Sequence, residues 1–355
     1  MVGIDAARDA IQSLPVAKPG KKPRKRSLGS RMVLWGPTRV LIELYLRAAA
    51  FWITLFGPAW AYFNVRCAAF LAWHLMPRLR GVSLRNVDLC LAELPLAERT
   101  RIAKASVRHF GYAFIDCLLA PRYITDTRWQ RYFKATADDH AYIQWFFEDK
   151  PAFNLSAHFG NWEIASWNVG RLHRDQLLVI AKELRPPLVN RWIVRCRRAL
   201  GNEVVGAEGG AKAYMRAIKE RRRVAVLVDQ NGGKNGPVET FFGIACTWQA
   251  DFTRLCLRGG GRLAHTFARR VGERFQFEFL EPLLLHYPPD ADPMQLMRDY
   301  RDHLQRLIAA NPEQYFWMHR RFKATRPGWG DAYADLGRRW GKPERDALIA
   351  SRSQA

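Results

Sequence analysis

The spacing of apolar positions changes several times along the chain, and each change marks an element. From Met32 to about Met76 apolar residues dominate. The centre of that run, Ala48 to Val65, carries no charge between Arg47 and Arg66 and approaches the roughly 20 residues of a membrane span. Trp52, Trp60 and Tyr62 supply rings suited to an interface, and Gly57-Pro58 predicts a kink. Arginines on both flanks select no orientation, so a hairpin entering one leaflet and a full crossing both fit, beside a buried core helix. The run starts too late for a cleaved signal peptide. From Glu98 to Leu119 the period is helical, with Ile102, Val107, Phe110, Ala113, Phe114 and Cys117 on one stripe.

Beyond that helix, short apolar runs alternate with helical ones. Predicted strands are Pro151–Ala157, Leu177–Ala181, Glu203–Gly206, Arg223–Val228, Leu263–Ala268 and Phe275–Leu280. Predicted helices are Leu188–Leu200, Ala211–Glu220 and Thr247–Leu257. A last amphipathic helix opens at Asp292-Pro293, with Pro at its first position and Met297, Tyr300, Leu304 and Ile308 facing inward. The alternation predicts an α/β domain with a largely parallel sheet flanked by helices, its sites beyond the carboxyl ends of the strands. Four regions result: a disordered basic arm at 1–31, a hydrophobic membrane anchor at 32–78, the chemical domain at 79–325, and a polar, peripheral tail at 326–355. The arm holds Lys18, Lys21, Lys22, Arg24, Lys25 and Arg26 around two prolines, which suits anionic lipid or simple solubility and topology signalling.

Charge sharpens this picture. Lys and Arg number 56 against 33 Asp and Glu, a net +23, which favours an anionic partner. Thirteen tryptophans and an aromatic share of 12% point to a membrane interface rather than nucleic acid. None of the known nucleic-acid modules is present. The six cysteines are scattered with no CxxC pair, as expected for reduced thiols facing the cytosol.

The candidate chemistry centres on Asn154-Leu-Ser-Ala-His158-Phe-Gly-Asn-Trp-Glu163. His158 is predicted where a strand ends and Glu163 in the first turn of the next helix, a favourable place for a carboxylate. Folded back, Glu163 would hold the imidazole as a general base; the plainer reading of such a pair is a cap or surface contact. No second His at helical spacing and no Cys pair accompany it, so no metal is expected. Asp229-Gln230 ends another apolar strand in the manner of a Walker B strand, but without GxxxxGK[ST] an ATPase is excluded. There is no GxSxG elbow for a serine nucleophile.

Three ordered motifs, His158-Phe-Gly-Asn-Trp-Glu163, Asp229-Gln230 with Phe241-Phe-Gly243, and Pro312-Glu-Gln-Tyr-Phe-Trp-Met-His319-Arg-Arg-Phe-Lys323, resemble the lauroyl/myristoyl acyltransferase family of lipid A biosynthesis. Arg85-Asn86 before a Pro looks like the same family. The resemblance covers about residues 32–325. It implies an HX4D/E acyltransferase with a glycerol-3-phosphate-acyltransferase-like domain at the cytoplasmic face of the bacterial inner membrane. It implies acyl transfer from acyl carrier protein, or acyl-CoA, to a hydroxyl of an anionic lipid A precursor, with no cofactor and no acyl-enzyme. His158 and Glu163 are the implied catalytic pair. Gly160 and Asn161, with their backbone N–H groups, Asp229, Gln230 and a cation are the candidate substrate or oxyanion contacts. The family tends to carry an arginine close to an Asn-Pro; here Ala181-Lys182-Glu-Leu-Arg185-Pro-Pro offers Lys182 or Arg185 for that role. Glu313 and Arg320, set among aromatics, are read as supporting the site. Two alternatives stand beside this reading: the same chemistry on another membrane glycolipid or aminolipid, and a membrane-tethered basic protein that binds lipid or nucleic acid.

Overall fold

The computed structural model describes residues 36–125, 127–134, 148, 151–172, 177–181, 187–199, 201–206, 210–280 and 282–353. The basic arm, Lys182 and Arg185 lie outside them. The helices, in order, are α1 (Gly36–Leu75), α2 (Pro77–Cys90), α3 (Leu96–Tyr123), α4 (Trp162–Leu172), α5 (Pro187–Ala199), α6 (Gly210–Lys219), α7 (Asp251–Arg258), α8 (Pro293–Ala310) and α9 (Lys342–Ser353). The strands are β1 (Phe133–Lys134), β2 (Ala152–Ser156), β3 (Leu177–Ala181), β4 (Asn202–Gly206), β5 (Arg223–Leu227), β6 (Val238–Phe241), β7 (Ile244–Thr247), β8 (Arg262–His265), β9 (Ala268–Arg270), β10 (Phe277–Phe279) and β11 (Leu283–His286). Residues to Ala49 form one compact unit and Ala50–Ala355 a second.

The second unit is built on a six-stranded sheet in the order β11-β8-β2-β5-β3-β4. Every neighbouring pair is parallel except β11 with β8. The expected mixed α/β architecture is thus present. The apolar strands have helices on their faces because both sides must be covered. Phe153, Leu155, Val224 and Leu263 share one buried cluster with Tyr300, Leu304 and Ile308 of α8. The Asp292 carboxylate caps α8 by accepting from the Met294 N–H at 2.9 Å.

Two expectations change in detail. The run Leu263–Ala268 is not one strand: β8 stays in the main sheet while β9 joins β10 and β1 in a second, three-stranded sheet. The helix expected from Thr247 begins at Asp251, because Thr247 ends a β6–β7 hairpin. That hairpin turns on Phe242 and Gly243, both at positive φ (50° and 76°). A two-residue turn of this kind favours Asn-Gly; with Phe in the first place the sequence hides it.

The segment after Arg326, expected as a peripheral tail, is folded into the core. Leu348 is buried, and so is Arg352, which donates to the carbonyls of Ala245 (2.7 Å), Phe322 (2.7 Å) and Gly330 (3.0 Å). Its polar composition misled because its charged groups are satisfied inside, on backbone carbonyls.

The hydrophobic membrane anchor expected over 32–78, with a full crossing left open, is not supported. No helix among the described residues is long and apolar enough to cross a membrane. α1 breaks at Gly57, whose φ of 73° is non-helical, with Pro58 next to it. From Ala50 onward one side of α1 exposes Phe51, Leu55, Phe63, Phe70 and Leu75, while Ala61, Tyr62, Val65 and Trp73 are buried. This is a two-faced helix, where a span would be apolar all round.

Candidate active site

Strand register delivers the centre of the site. β2 and β5 lie side by side with Ser156 opposite Leu227. Two residues further on, His158 and Asp229 leave the sheet together. The imidazole Nδ1 meets Asp229 Oδ1 at 2.9 Å, and the His158 backbone N–H donates to Asp229 Oδ2 at 3.1 Å. Burial alone would raise the Asp229 carboxyl; the charge of His158 and these two hydrogen bonds outweigh it and hold the group below the ordinary carboxylate range. An ionised Asp229 fixes the tautomer, with the proton on Nδ1 and the lone pair on Nε2. Gln230 Nε2 lies 3.5 Å from that Nε2, at the outer limit of a hydrogen bond.

Glu163 is placed differently from expectation. It sits in the first turn of α4, but its carboxylate turns to Arg197 on α5, with contacts of 2.9 and 2.6 Å in a bidentate fork, and accepts from Trp162 Nε1 at 3.1 Å. Burial pushes its pKa up, yet Arg197 outweighs this and holds it low, with a smaller contribution from the charge of His158. The carboxylate hydrogen-bonded to the imidazole is therefore Asp229, while Glu163 acts on it across space. The turn at Asn161 starts α4 with Glu163 pointing along the helix flank, towards α5.

Gly160 and Asn161 shape the loop between them. Gly160 has φ +58°, and a Cβ there would lie 2.0 Å from the Ala268 carbonyl oxygen, so only glycine fits. The Gly160 N–H donates to Gln314 O (2.9 Å) and the Asn161 N–H to Ala268 O (2.7 Å). These two groups, expected as oxyanion donors, are thus engaged in holding the loop. Asn161 Oδ1 accepts from the Ile164 N–H at 3.1 Å and caps α4.

The third motif forms the opposite wall. Phe159 bridges Tyr315, and the Phe316 N–H donates to His158 O at 2.9 Å. The Trp162 and Phe316 rings lie 5.1 and 5.6 Å from the imidazole, and Phe110 stacks on Phe316 at 4.8 Å. Phe110 is 38% exposed, so this apolar wall opens to the surface. His319 Nε2 accepts from the Asn231 N–H at 3.2 Å, which fixes the turn after Asp229. Burial lowers the His319 pKa to about 4, against the opposing charge of Asp229. Arg321 is buried over Trp248, 4.0 Å from the ring centroid, and donates to Thr247 O at 2.6 Å.

Asn86 ties this wall to α2. Its amide donates to the carbonyls of Trp317 and His319, both at 2.6 Å, and its oxygen accepts from Tyr333 at 2.5 Å. Arg85 packs over Trp340 at 3.7 Å and donates to the carbonyls of Ala332, Asp335 and Arg338. Glu313 and Arg320 are half-buried; Arg320 pairs loosely with Asp331 (3.7 Å) and lies over Tyr333. The fully buried cation of the motif is Arg321.

Arg197 escaped the sequence reading, as did the contact between His158 and Asp229, while His319 and Arg321 were seen in the third motif but given no role. A signal for that contact exists: Ala152 to His158 and Arg223 to Asp229 are apolar runs of equal length ending in a titratable residue. Paired parallel from their first residues, they bring the two side chains together.

Comparison with known proteins identifies the family. The family model for the bacterial lipid A biosynthesis acyltransferases matches residues 36–324. The chain is 23% identical over 291 residues to the lipid A biosynthesis palmitoleoyltransferase of Escherichia coli (strain K12), covering 78% of this chain and 88% of that protein. It is equally similar to the lipid A biosynthesis acyltransferase of Shigella flexneri. It is also 23% identical to the lipid A biosynthesis lauroyltransferase of Escherichia coli (strain K12), over 80% of this chain and 92% of that one. The ordered motifs, the sheet that carries them and the length of the match lead to one conclusion: this chain is an acyltransferase belonging to the bacterial lipid A biosynthesis acyltransferase family.

Proposed function

We propose that the protein moves a fatty acyl group from acyl carrier protein to a hydroxyl of a lipid A precursor, with His158 as general base. The observation that carries this reading is the clamped imidazole: Nδ1 is held by a buried carboxylate while Nε2 is the nitrogen left to accept a proton. In the proposed step the acceptor oxygen attacks the thioester carbonyl and gives its proton to Nε2. The C–O bond forms, the tetrahedral oxyanion collapses, the C–S bond breaks, and the leaving thiolate takes the proton back. Asp229 orients the imidazole and stabilises its cation; the Glu163–Arg197 pair adds field without contact. Gln230, whose amide lies beside Nε2, is the donor best placed for the oxyanion in this reading. The acyl chain would lie against Phe110, Trp162 and Phe316. Such a step uses side chains and the donor thioester alone, without a cofactor. Lys182 and Arg185 remain candidates for the acceptor's phosphates.

The glycerol-3-phosphate-acyltransferase-like relationship and the location at the cytoplasmic face of the inner membrane belong to the same proposal. The exposed face of α1, with Phe51, Leu55, Phe63 and Phe70, suits lying in an anionic interface, and the net charge of +23 favours it. The test is acyl transfer by the purified full chain, with acyl carrier protein thioesters of several lengths and a phosphorylated glycolipid acceptor. Transfer that disappears in His158→Ala supports the reading. A fully active His158→Ala enzyme would overturn the mechanism, and transfer only to other lipids would move the acceptor to another glycolipid or aminolipid.

A further inference from the structure

Packed against the catalytic loop at Gly160 and Asn161 lies a buried charged cluster that the chemistry above does not use. Asp116 on α3 is fully buried. It accepts from Tyr62 of α1 at 2.7 Å, from the Asn161 amide at 2.7 Å, and from the buried guanidinium of Arg270 on β9. Arg270 in turn lies over the Tyr62 and Tyr112 rings, at 4.8 and 5.0 Å. Two turns of α3 before Asp116, His109 Nε2 meets the Gly160 carbonyl at 3.0 Å. Burial and the Arg270 charge lower the His109 pKa to about 3, so this histidine is a neutral donor.

Burying an ion pair seldom adds stability over apolar residues of the same volume, so such a pair is better understood through the geometry that it imposes. Here that geometry is specific. Asp116 holds the Nδ2 end of Asn161, while the Oδ1 end caps α4. The asparagine cannot turn over without losing both contacts. It stands three residues after His158, in a loop where the Gly160 and Asn161 N–H groups donate to main-chain carbonyls.

We infer that Asp116 is a positioning residue for the transfer reaction, setting the His158 loop through Asn161, with Tyr62 and Arg270 holding Asp116 in place. This rests on His158 being the base. The cluster touches no reacting atom; it fixes the tilt with which β2 hands its chain to α4, and hence the direction of Nε2. A shift of about 1 Å in a reacting group can cost about 100-fold in rate, so the effect falls on turnover rather than on substrate affinity.

The experiment uses the full chain with an acyl carrier protein thioester and a phosphorylated glycolipid, reading kcat, KM and Tm for Asp116→Asn, Asn161→Asp, Tyr62→Phe and His158→Ala. Asn161→Asp keeps the capping oxygen and severs the bond to Asp116. Expected are kcat losses of about 10–100-fold for Asp116→Asn and Asn161→Asp and a smaller loss for Tyr62→Phe, with both KM values within about threefold. The double Asp116→Asn, Asn161→Asp variant should lose no more kcat than the worse single one, since the two act as one unit. Folded variants with parental kcat and a lowered Tm would overturn the inference, leaving the cluster purely structural; so would losses that multiply. Should Asp116→Asn not fold, Tyr62→Phe decides, because it removes only the hydroxyl's bonds to Asp116 and Arg270 and no charge: parental kcat there also overturns it. A fully active His158→Ala removes the base reading and this inference with it, whereas an inactive His158→Ala beside unaffected cluster variants removes this inference alone.

Discussion

Replacing Asp229 by asparagine separates the two carboxylates near His158. The substitution preserves shape but removes the charge that faces the imidazolium in the transition state. The lost interaction is bounded in two ways. A hydrogen bond to a charged group contributes about 1.5–3 kcal/mol. Two unit charges about 4 Å apart at an effective dielectric of about 20 attract by about 4 kcal/mol. Both groups are largely buried, with side chains 19% and 3% exposed, so screening by water removes little. The expected cost is then about 3–4 kcal/mol in the barrier, or roughly 10²–10³-fold in kcat at 1.36 kcal/mol per decade. The assay is single-turnover transfer from acyl carrier protein to the glycolipid, beside circular-dichroism melting. Glu163→Gln supplies the contrast: it strands the Arg197 guanidinium, and loss of one partner of a buried pair costs about 3–5 kcal/mol of stability. Its first signature should be a lowered Tm. An Asp229→Asn enzyme with parental kcat beside a folded, inactive Glu163→Gln enzyme would refute the assignment and return the orienting role to Glu163.

Three further outcomes are expected. Gly160→Ala should yield no folded enzyme, since positive φ alone costs about 1–3 kcal/mol and the new Cβ would lie 2.0 Å from a backbone oxygen; a soluble, active variant by melting and transfer assay would contradict this. Arg352→Ala strips the donor from three carbonyls, at about 1–3 kcal/mol for each one left buried and unpaired, so Tm should fall sharply, while an unchanged Tm would mean water replaces it. Burial lowers His109 and His265 to about 3 and His303 and His319 to about 4, which makes them neutral when folded and proton-binding when unfolded. Their contribution is whole above the unfolded pKa near 6.5 and is lost as pH falls towards the folded values. Unfolding free energies from urea titrations should therefore fall between pH 7 and pH 5, reaching about 1.4 kcal/mol per pH unit for each histidine below its unfolded pKa; a flat profile would show these sites to be hydrated.

The fold was legible wherever a local pattern decides it. Leu177–Ala181 and the α8 stripe were readable because burial on both faces makes a strand uniformly apolar and burial on one face gives a helix its period. The β6–β7 hairpin was not, since Phe242 adopts a backbone that its side chain does not advertise. His158 was legible as a titratable residue at a strand end. Its partner was not, because the nearer carboxylate in sequence, Glu163, is directed elsewhere by Arg197, 34 residues on. Local spacing ranks candidates by chain distance, whereas register between β2 and β5 ranks them in space. The tail misled for a related reason: Arg352 looks like a surface residue until the carbonyls that receive it are known.

The hold of Asn86 on Tyr333 has a consequence for biogenesis. The two residues are 247 positions apart. At about 5–20 residues per second, the ribosome makes Tyr333 roughly 12–50 seconds after Asn86. For that interval α2 has been synthesised, but Arg85, Asn86 and Asp88 lack the partners that later bury them. The helix cannot dock early without stranding those groups, so the nascent chain must leave it exposed or shielded by a chaperone. The wall that carries Phe316 and His319 then locks only once Tyr333 has emerged. Nascent chains stalled before Tyr333 should therefore be protease-sensitive at α2, and acyl transfer should appear only once Tyr333 has emerged.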